Sequence, residues 1–350
     1  MFNKLFGKFS KDLGIDLGTA NTLVHVKDRG IIINEPSVVA VNIRTNQILA
    51  VGEEAKKMVG KTPAHIVATR PLVNGVISDF EVTEKMLKYF IDRVHKESFT
   101  LIPRPRVIIG IPLDITEVEK KAVEDAALSA GAREVYLIEE PMAAAIGARL
   151  PVQDSSGNMV VDIGGGTTEI AVISLGGVVT YKSLKIAGDT LNQNIVQYAR
   201  DEFNLLLGEK IAEDIKMKIG SASELKDKLE TRMRGRDIIS GLPREIIISD
   251  GHVREAIMRS VKLIVENIKA TLENTPPELV ADIYERGMIL TGGGALLKNL
   301  DKAIMKATQI PVRIAADPLT CVARGTGVVL DDLNQLKDVL VPSTNDSGKV

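Results

Sequence analysis

Through the first 150 residues, short apolar runs alternate with segments whose apolar positions recur at helical spacing. Strands are predicted at Leu13–Leu17, Thr22–Val26, Val38–Asn42, Arg106–Ile111 and Val135–Ile138. Helices are predicted at Thr83–His95, Glu117–Ala130 and Pro141–Leu150. Thr116 with Glu119 reads as a capping box, Gly131 as a helix stop, and Pro141 as a first-turn proline directly after Glu139-Glu140. This alternation predicts an α/β sheet covered by helices.

The pattern starts again after the polar segment Gln153–Gly157. Strands Met159–Ile163, Ile170–Ser174 and Val178–Ile186 precede helices at about Thr190–Leu207 and Lys210–Ile219. The charged stretch Ser221–Asp237 leads to an expected hairpin, Ile238–Ser240 with Glu245–Ile248, turning at Gly241-Leu242-Pro243. A long helix over about Val253–Leu272 stops before Pro276-Pro277. Strand Met288–Leu290 then runs into Thr291-Gly292-Gly293-Gly294-Ala295, with an apolar-periodic helix behind it. A last helix starts near Asp317-Pro318, and residues 340–350 read as a disordered tail.

Composition narrows the picture. A chain of 350 residues is long for one core, so two domains are expected. The net charge of −2, with no long basic run, predicts no nucleic-acid partner. One cysteine, Cys321, excludes an internal disulfide framework and fits a reducing, cytoplasmic compartment. The four histidines are scattered without metal-ligand spacing. No apolar run reaches the ~18 residues of a membrane span, and no secretory signal is legible.

The chemistry is concentrated in a pattern that occurs twice. Ile15-Asp16-Leu17-Gly18-Thr19-Ala20-Asn21-Thr22 returns as Val161-Asp162-Ile163-Gly164-Gly165-Gly166-Thr167-Thr168. Each copy lies between two apolar runs, as a β-hairpin does when its turn must approach an anion. Glycine permits the tight turn, and successive backbone N–H groups make a concavity for phosphate. An Asp at the strand end repels bare phosphate but suits a hydrated Mg²⁺. Gly292–Gly294 is a third glycine turn, at a strand's C-terminal end, where α/β sheets bind ligands. A P-loop and a dinucleotide fingerprint are both absent from the sequence.

These residues resemble the MreB family of bacterial actin homologues, within the actin, sugar-kinase and heat-shock ATPase superfamily. Ile15–Thr22 matches the first phosphate loop, Leu137–Gly147 the first connecting helix, Val161–Ile170 the second phosphate loop and Leu290–Leu297 the adenosine loop. The match is collinear over roughly residues 10–335.

The resemblance implies an actin-like ATPase fold of two related α/β domains, each with a small inserted subdomain, and nucleotide in the cleft between them. Domain I would span 12–152, with a small subdomain at about 35–75 and a C-terminal helix 317–335 returning to it; domain II would span 153–316, with a small subdomain at about 190–250. The implied cofactors are ATP and Mg²⁺, the ion oriented through water by Asp16 and Asp162. Gly18, Thr19, Ala20, Asn21 and Thr22, with Gly164, Gly165, Gly166 and Thr167, would cradle the phosphates. Glu140 would position or deprotonate the attacking water, with Thr167 as a second polar contact. Taken alone, Glu140 is also a first-turn carboxylate that favours a helix N-terminus. Glu213 and Lys216 match nucleoside contacts, and equally read as a solvated i,i+3 pair. Gly292, Gly293, Gly294 and Ala295 would close over the adenosine.

Two segments suggest a membrane surface. Met1, Phe2, Leu5, Phe6 and Phe9 share one helical face, with Lys4, Lys8 and Lys11 opposite, as in an amphipathic membrane segment spanning 1–11. A disordered start or a packed strand is the other reading. Leu101 and Ile102, between Phe99 and a Pro/Arg run, fit a burial or an insertion role. By the resemblance, the chain is expected to be a slow ATP hydrolase that polymerises with itself into paired protofilaments. They would lie on the anionic inner face of the plasma membrane and, with the cell-wall elongation machinery and membrane-embedded shape proteins, set rod shape. The alternative is a small-molecule kinase or chaperone-type ATPase on the same fold.

Overall fold

The computed structural model describes residues 10–96 and 104–342. The chain opens with β1 (Leu13–Leu17), β2 (Asn21–Val26) and β3 (Gly30–Pro36), then β4 (Val39–Asn42), β5 (Gln47–Val51), α1 (Glu53–Met58) and β6 (Ile66–Thr69). Next come β7 (Leu72–Val73), β8 (Val76–Ile77), α2 (Phe80–His95), β9 (Arg106–Ile111), α3 (Glu117–Ser129), β10 (Glu134–Glu139) and α4 (Glu140–Gly147). They are followed by β11 (Asn158–Ile163), β12 (Thr168–Ser174), β13 (Gly177–Leu184), α5 (Gly188–Phe203), β14 (Leu205–Leu206), α6 (Glu209–Ile219), β15 (Glu230–Asp237), β16 (Pro243–Ser249) and α7 (Asp250–Glu273). The chain closes with α8 (Pro277–Arg286), β17 (Met288–Thr291), α9 (Leu300–Thr308), β18 (Val312–Ile314), α10 (Cys321–Asp331) and β19 (Leu340–Val341).

The chain divides into two compact units. The first comprises Met1–Ser155, Ser174–Val178 and Leu319–Val350, the second Ser156–Ile173 and Val179–Pro318. The main sheet of the first runs β19-β10-β9-β1-β2-β3. Strands β1, β9 and β10 are parallel, so their C-terminal ends share one edge. Val82, Met86, Leu87, Phe90, Ile91 and Val94 make the apolar stripe of α2 and pack into this unit's core. Asp79 caps that helix by accepting from the Val82 N–H. The Thr116–Glu119 capping box is present at α3. A sheet β5-β4-β6, with α1, follows β3.

The main sheet of the second unit runs β13-β12-β11-β17-β18. Every residue of β11 and β12 is buried, which explains their continuous apolar runs. Val253, Ile257, Val261, Ile264 and Ile268 line α7 and join the core with Leu191 and Ile195 of α5.

Several boundaries differ from expectation. The helix from Gly188 stops at Phe203, because Asn204 adopts the left-handed conformation (φ 50°) and Leu205 enters β14. The hairpin of the small lobe pairs β15 with β16, from Glu230↔Ser249 to Arg236↔Pro243. Its first strand thus lies in the charged stretch. Arg232 and Arg234 face solvent while Met233 is buried between them, an alternation hidden by the charge. Ile238–Ser240 form the turn instead, where the Asp237 carboxylate accepts the N–H groups of Ile239 and Ser240. The last helix is α10, shorter than 317–335 and preceded by a 3₁₀ turn at Pro318–Thr320. The expected disorder from 340 is corrected at Leu340 and Val341, which pair with β10; residues 343–350 lie outside the described residues.

Candidate nucleotide-binding hairpins

In the first unit, β1 and β2 pair with Leu17 opposite Thr22, leaving Gly18, Thr19, Ala20 and Asn21 to make the turn. Gly18 is required there by space: a Cβ would lie 2.7 Å from the Asn21 carbonyl oxygen. Two carbonyls of the turn are tied down from one side. The Ser37 hydroxyl donates to Gly18 O at 2.6 Å, and the Ser37 N–H donates to Ala20 O at 2.9 Å. Thr22 Oγ1 lies 2.9 Å from Ser37 Oγ. The Thr19 hydroxyl oxygen accepts from the Gly75 N–H at 2.8 Å. Gly75 and Asn74 both have positive φ and link β7 to β8 as an Asn-Gly hairpin turn. The Asn21 side-chain amide donates to Asn34 Oδ1.

Asp16 and Glu140 reach this same edge of the sheet. Ile15 is level with Ile109, and Ile138 with Gly110, so Asp16, Gly110 and the β10–α4 junction lie together at the C-terminal ends of parallel strands. Asp16 is half-buried, whereas Glu140 is 7% exposed and opens α4, with Pro141 next. A Cβ on Gly110 would lie 3.0 Å from Val322 Cγ1 and 3.4 Å from Glu140 Cγ, so the glycine packs closely against α10 and in ordinary contact with Glu140. Its neighbour Glu139 is held above the usual carboxylate range by burial, with Lys120 opposing. Helix α4 is seated by backbone contact on α10: side chains at Gly147 and Gly325 would strike the carbonyls of Cys321 and Ala143.

In the second unit, β11 and β12 pair with Ile163 opposite Thr168, and Gly164–Thr167 form the turn. The Gly164 N–H donates to Thr167 O at 2.9 Å, closing the turn. This corrects one expectation: the Gly164 amide cannot also cradle a phosphate, which leaves those of Gly165, Gly166 and Thr167. The carbonyls of Gly164 and Gly165 accept from the Gly188 and Asp189 N–H groups at the start of α5, at 3.1 and 2.8 Å. The Thr168 hydroxyl donates to Ile186 O at 2.7 Å. Lys216, half-buried on α6, donates to Gly188 O at 2.8 Å, beside the turn's brace. Glu213, also half-buried, lies one turn earlier on α6.

Asp162 stands opposite Thr291 in the parallel pair β11–β17, and the Thr291 hydroxyl donates to its Oδ1 at 2.8 Å. Burial pushes the Asp162 carboxyl up to about 6, with the Thr291 bond working the other way. The third glycine turn follows directly. Gly292 has φ 76°, and a Cβ there would lie 2.6 Å from the Ile163 carbonyl carbon and 2.7 Å from Asp162 Oδ1. Its N–H donates to Pro318 O. Gly293 is exposed, Gly294 abuts the Ile163 side chain, and Ala295 is buried in the core. The second unit therefore gathers Asp162, the Gly164 turn and the Gly292 turn at one sheet edge.

The donor set bears on a metal. Among the described residues no cluster of three or more His, Cys, Asp or Glu forms a cation cage. Single buried or half-buried carboxylates at strand ends suit instead an ion that keeps its waters and shares phosphate ligands, as Mg²⁺ does.

Met1, Phe2, Leu5, Phe6, Phe9, Leu101 and Ile102 lie outside the described residues. The chain just beyond them is fastened together: Ser10 Oγ accepts from the Arg104 N–H, His95 Nε2 from the Lys11 N–H, and Asp12 pairs with Arg106 and Arg133. No described helix is long and apolar enough to cross a membrane.

The sequence matches the MreB/Mbl protein family model over residues 10–338. It is 53% identical over 335 residues to the cell shape-determining protein MreB of Escherichia coli (strain K12), covering 95% of this chain and 96% of that one. The fold is that of MreB5 of Spiroplasma citri bound to ADP, with a TM-score of 0.88 and 39% identity over 93% of this chain and 97% of that one. A MamK double helical filament shares the actin-like fold, with a TM-score of 0.76 at 21% identity over 92% of this chain and 99% of that one. With its paired Asp hairpins, its α/β architecture and this degree of identity, the chain belongs to the MreB/Mbl family of cell shape-determining proteins.

Proposed function

We propose that the chain is a membrane-associated cytoskeletal ATPase that polymerises when it binds ATP. The observation that carries this reading is the twofold Asp hairpin, in which each turn has its carbonyls tied back and lies at the C-terminal edge of a sheet. Amides of Gly18 to Asn21 and of Gly165 to Thr167 then serve phosphate oxygens. Asp16 and Asp162 would hold Mg²⁺ through water; the ion supplies neutralisation of the phosphate charge. Glu140 orients or deprotonates the attacking water, with Thr167 as a second polar contact. Glu213 and Lys216 contact the nucleoside, and the Gly292–Ala295 turn closes over it.

Filaments grow by heterologous head-to-tail contacts, which generate open polymers rather than rings. Residues 1–9, with Leu101 and Ile102, bind the anionic inner face of the plasma membrane, where the filaments organise cell-wall synthesis with membrane-embedded shape proteins. The solved relative bound to ADP and the filamentous MamK support the nucleotide and the polymer respectively.

The test is sedimentation of the full chain with anionic liposomes and Mg-ATP, beside a chain lacking residues 1–9. The expected result is ATP-dependent pelleting, with liposome binding lost on truncation. Monomers in the supernatant under every condition would sink the filament reading. Glu140→Ala should abolish phosphate release and spare nucleotide binding.

A further inference from the structure

Ser37 lies between β3 and β4, outside every glycine turn legible in the sequence, and it is fully buried. Its hydroxyl and its amide hold the two carbonyls that flank Thr19 and Ala20: Gly18 O at 2.6 Å and Ala20 O at 2.9 Å. The peptide bonds are trans, so each carbonyl points opposite to the N–H of the same peptide unit. Holding Gly18 O and Ala20 O toward Ser37 therefore turns the Thr19 and Asn21 N–H groups the other way. Since the single Ser37 hydrogen goes to Gly18 O, the Thr22 hydroxyl must donate to Ser37 Oγ. Thr22 is fully buried as well, so water does not compete for these bonds. The second hairpin also has two carbonyls held, by other means and one position differently: the Gly188 and Asp189 amides donate to Gly164 O and Gly165 O, the first and second of the turn rather than the first and third.

We propose that Ser37 is the positioning residue of the first phosphate turn: it fixes the orientation of the Thr19 and Asn21 amides toward a polyphosphate, and Thr22 acts through it. This rests on the nucleotide reading above. Ser37 touches no ligand, so its effect should scale with the phosphates bound rather than with the nucleoside.

The test measures affinities of the full chain for AMPPNP, ADP and AMP in Mg²⁺ by equilibrium dialysis, in wild type, Ser37→Ala, Ser37→Cys, Thr22→Val and the Ser37→Ala/Thr22→Val double variant. Ser37→Ala should weaken AMPPNP and ADP about tenfold, the worth of one buried hydrogen bond, and change AMP less than about twofold. Ser37→Cys fills the same space with a poor donor and should follow Ser37→Ala. Thr22→Val should shift the same two ligands by less, and the double variant should be no worse than Ser37→Ala alone. Equal weakening of all three ligands, or no change in any, would overturn the proposal. Should Ser37→Ala fail to fold, Ser37→Cys and Thr22→Val decide the matter by the same ligand comparison. A wild-type chain that binds none of the three overturns the nucleotide reading and the brace with it. A binding wild type with unchanged variants overturns the brace alone.

Discussion

In the first hairpin a serine side chain and its amide hold Gly18 O and Ala20 O; in the second, the opening amides of α5 hold Gly164 O and Gly165 O. The surroundings differ too. Asp16 is half-buried beside a turn that leans on the Asn74-Gly75 hairpin, whereas Asp162 is 6% exposed between strands buried along their whole length. One spacing in the sequence is thus built by two kinds of packing. A backbone brace cannot be removed by changing a side chain, while the hydroxyl half of the Ser37 brace, on Gly18 O, can. The buried carboxylate carries a large desolvation penalty that a cation can relieve.

The largest effect expected from breaking this comparison is at Gly292. Alanine there combines φ 76° with collisions against the Ile163 carbonyl and Asp162, and should destabilise the fold by about 3 kcal/mol in urea unfolding.

Asp162→Asn comes next. The carboxyl titrates near 6 in the folded chain against 3.8 ordinarily, so the native state binds the extra proton and stability falls as pH rises through that window. The ligand-free Asn variant should therefore be more stable than wild type at pH 7, by on the order of 2 kcal/mol. The difference should vanish below about pH 4, as read from thermal unfolding against pH. A difference constant with pH would remove burial as the cause.

Gly18→Ala and Gly164→Ala sharpen the comparison directly. A Cβ would lie 2.7 Å from a backbone oxygen at Gly18 and 3.3 Å at Gly164. Loss of about 1–2 kcal/mol is expected at Gly18, and well under about 1 kcal/mol at Gly164. The smallest effect is Thr168→Val. It removes the bond to Ile186 O but leaves both α5 amides on the turn, so it should lower stability by about 1 kcal/mol and leave the AMPPNP-to-AMP affinity ratio unchanged.

Much of this was legible before the structure. The two Asp hairpins fall where the apolar runs and their glycines place them, and β1, β9, α3 and β11 lie within a residue of their expected bounds. Local signals are strong there: continuous apolar runs, a capping box, glycine at a closed turn. The small lobe departs from expectation because β15 alternates Arg with a single buried Met, so charge outweighs periodicity over a short window. The Gly164 amide differs from expectation because a bond within the turn leaves no trace in composition. Ser37 carries no local signal at all: it lies 19 residues from Gly18 in the chain, and a single serine after a proline reads as a loop.

The sequence by itself determined which turns exist, since the space at Gly18, bounded by the Asn21 carbonyl of the same turn, and the φ of 76° at Gly292 are local requirements that few residues meet. It also placed an acidic residue one position before the end of both β1 and β11. Tertiary structure alone decided which groups turn the carbonyls away, that Gly110 packs closely against Val322 of α10, and that burial pushes the Asp162 carboxyl up to about 6 while Lys216 reaches the brace of its turn. Those outcomes depend on burial and on contacts between distant segments, and neither is a property of neighbouring residues.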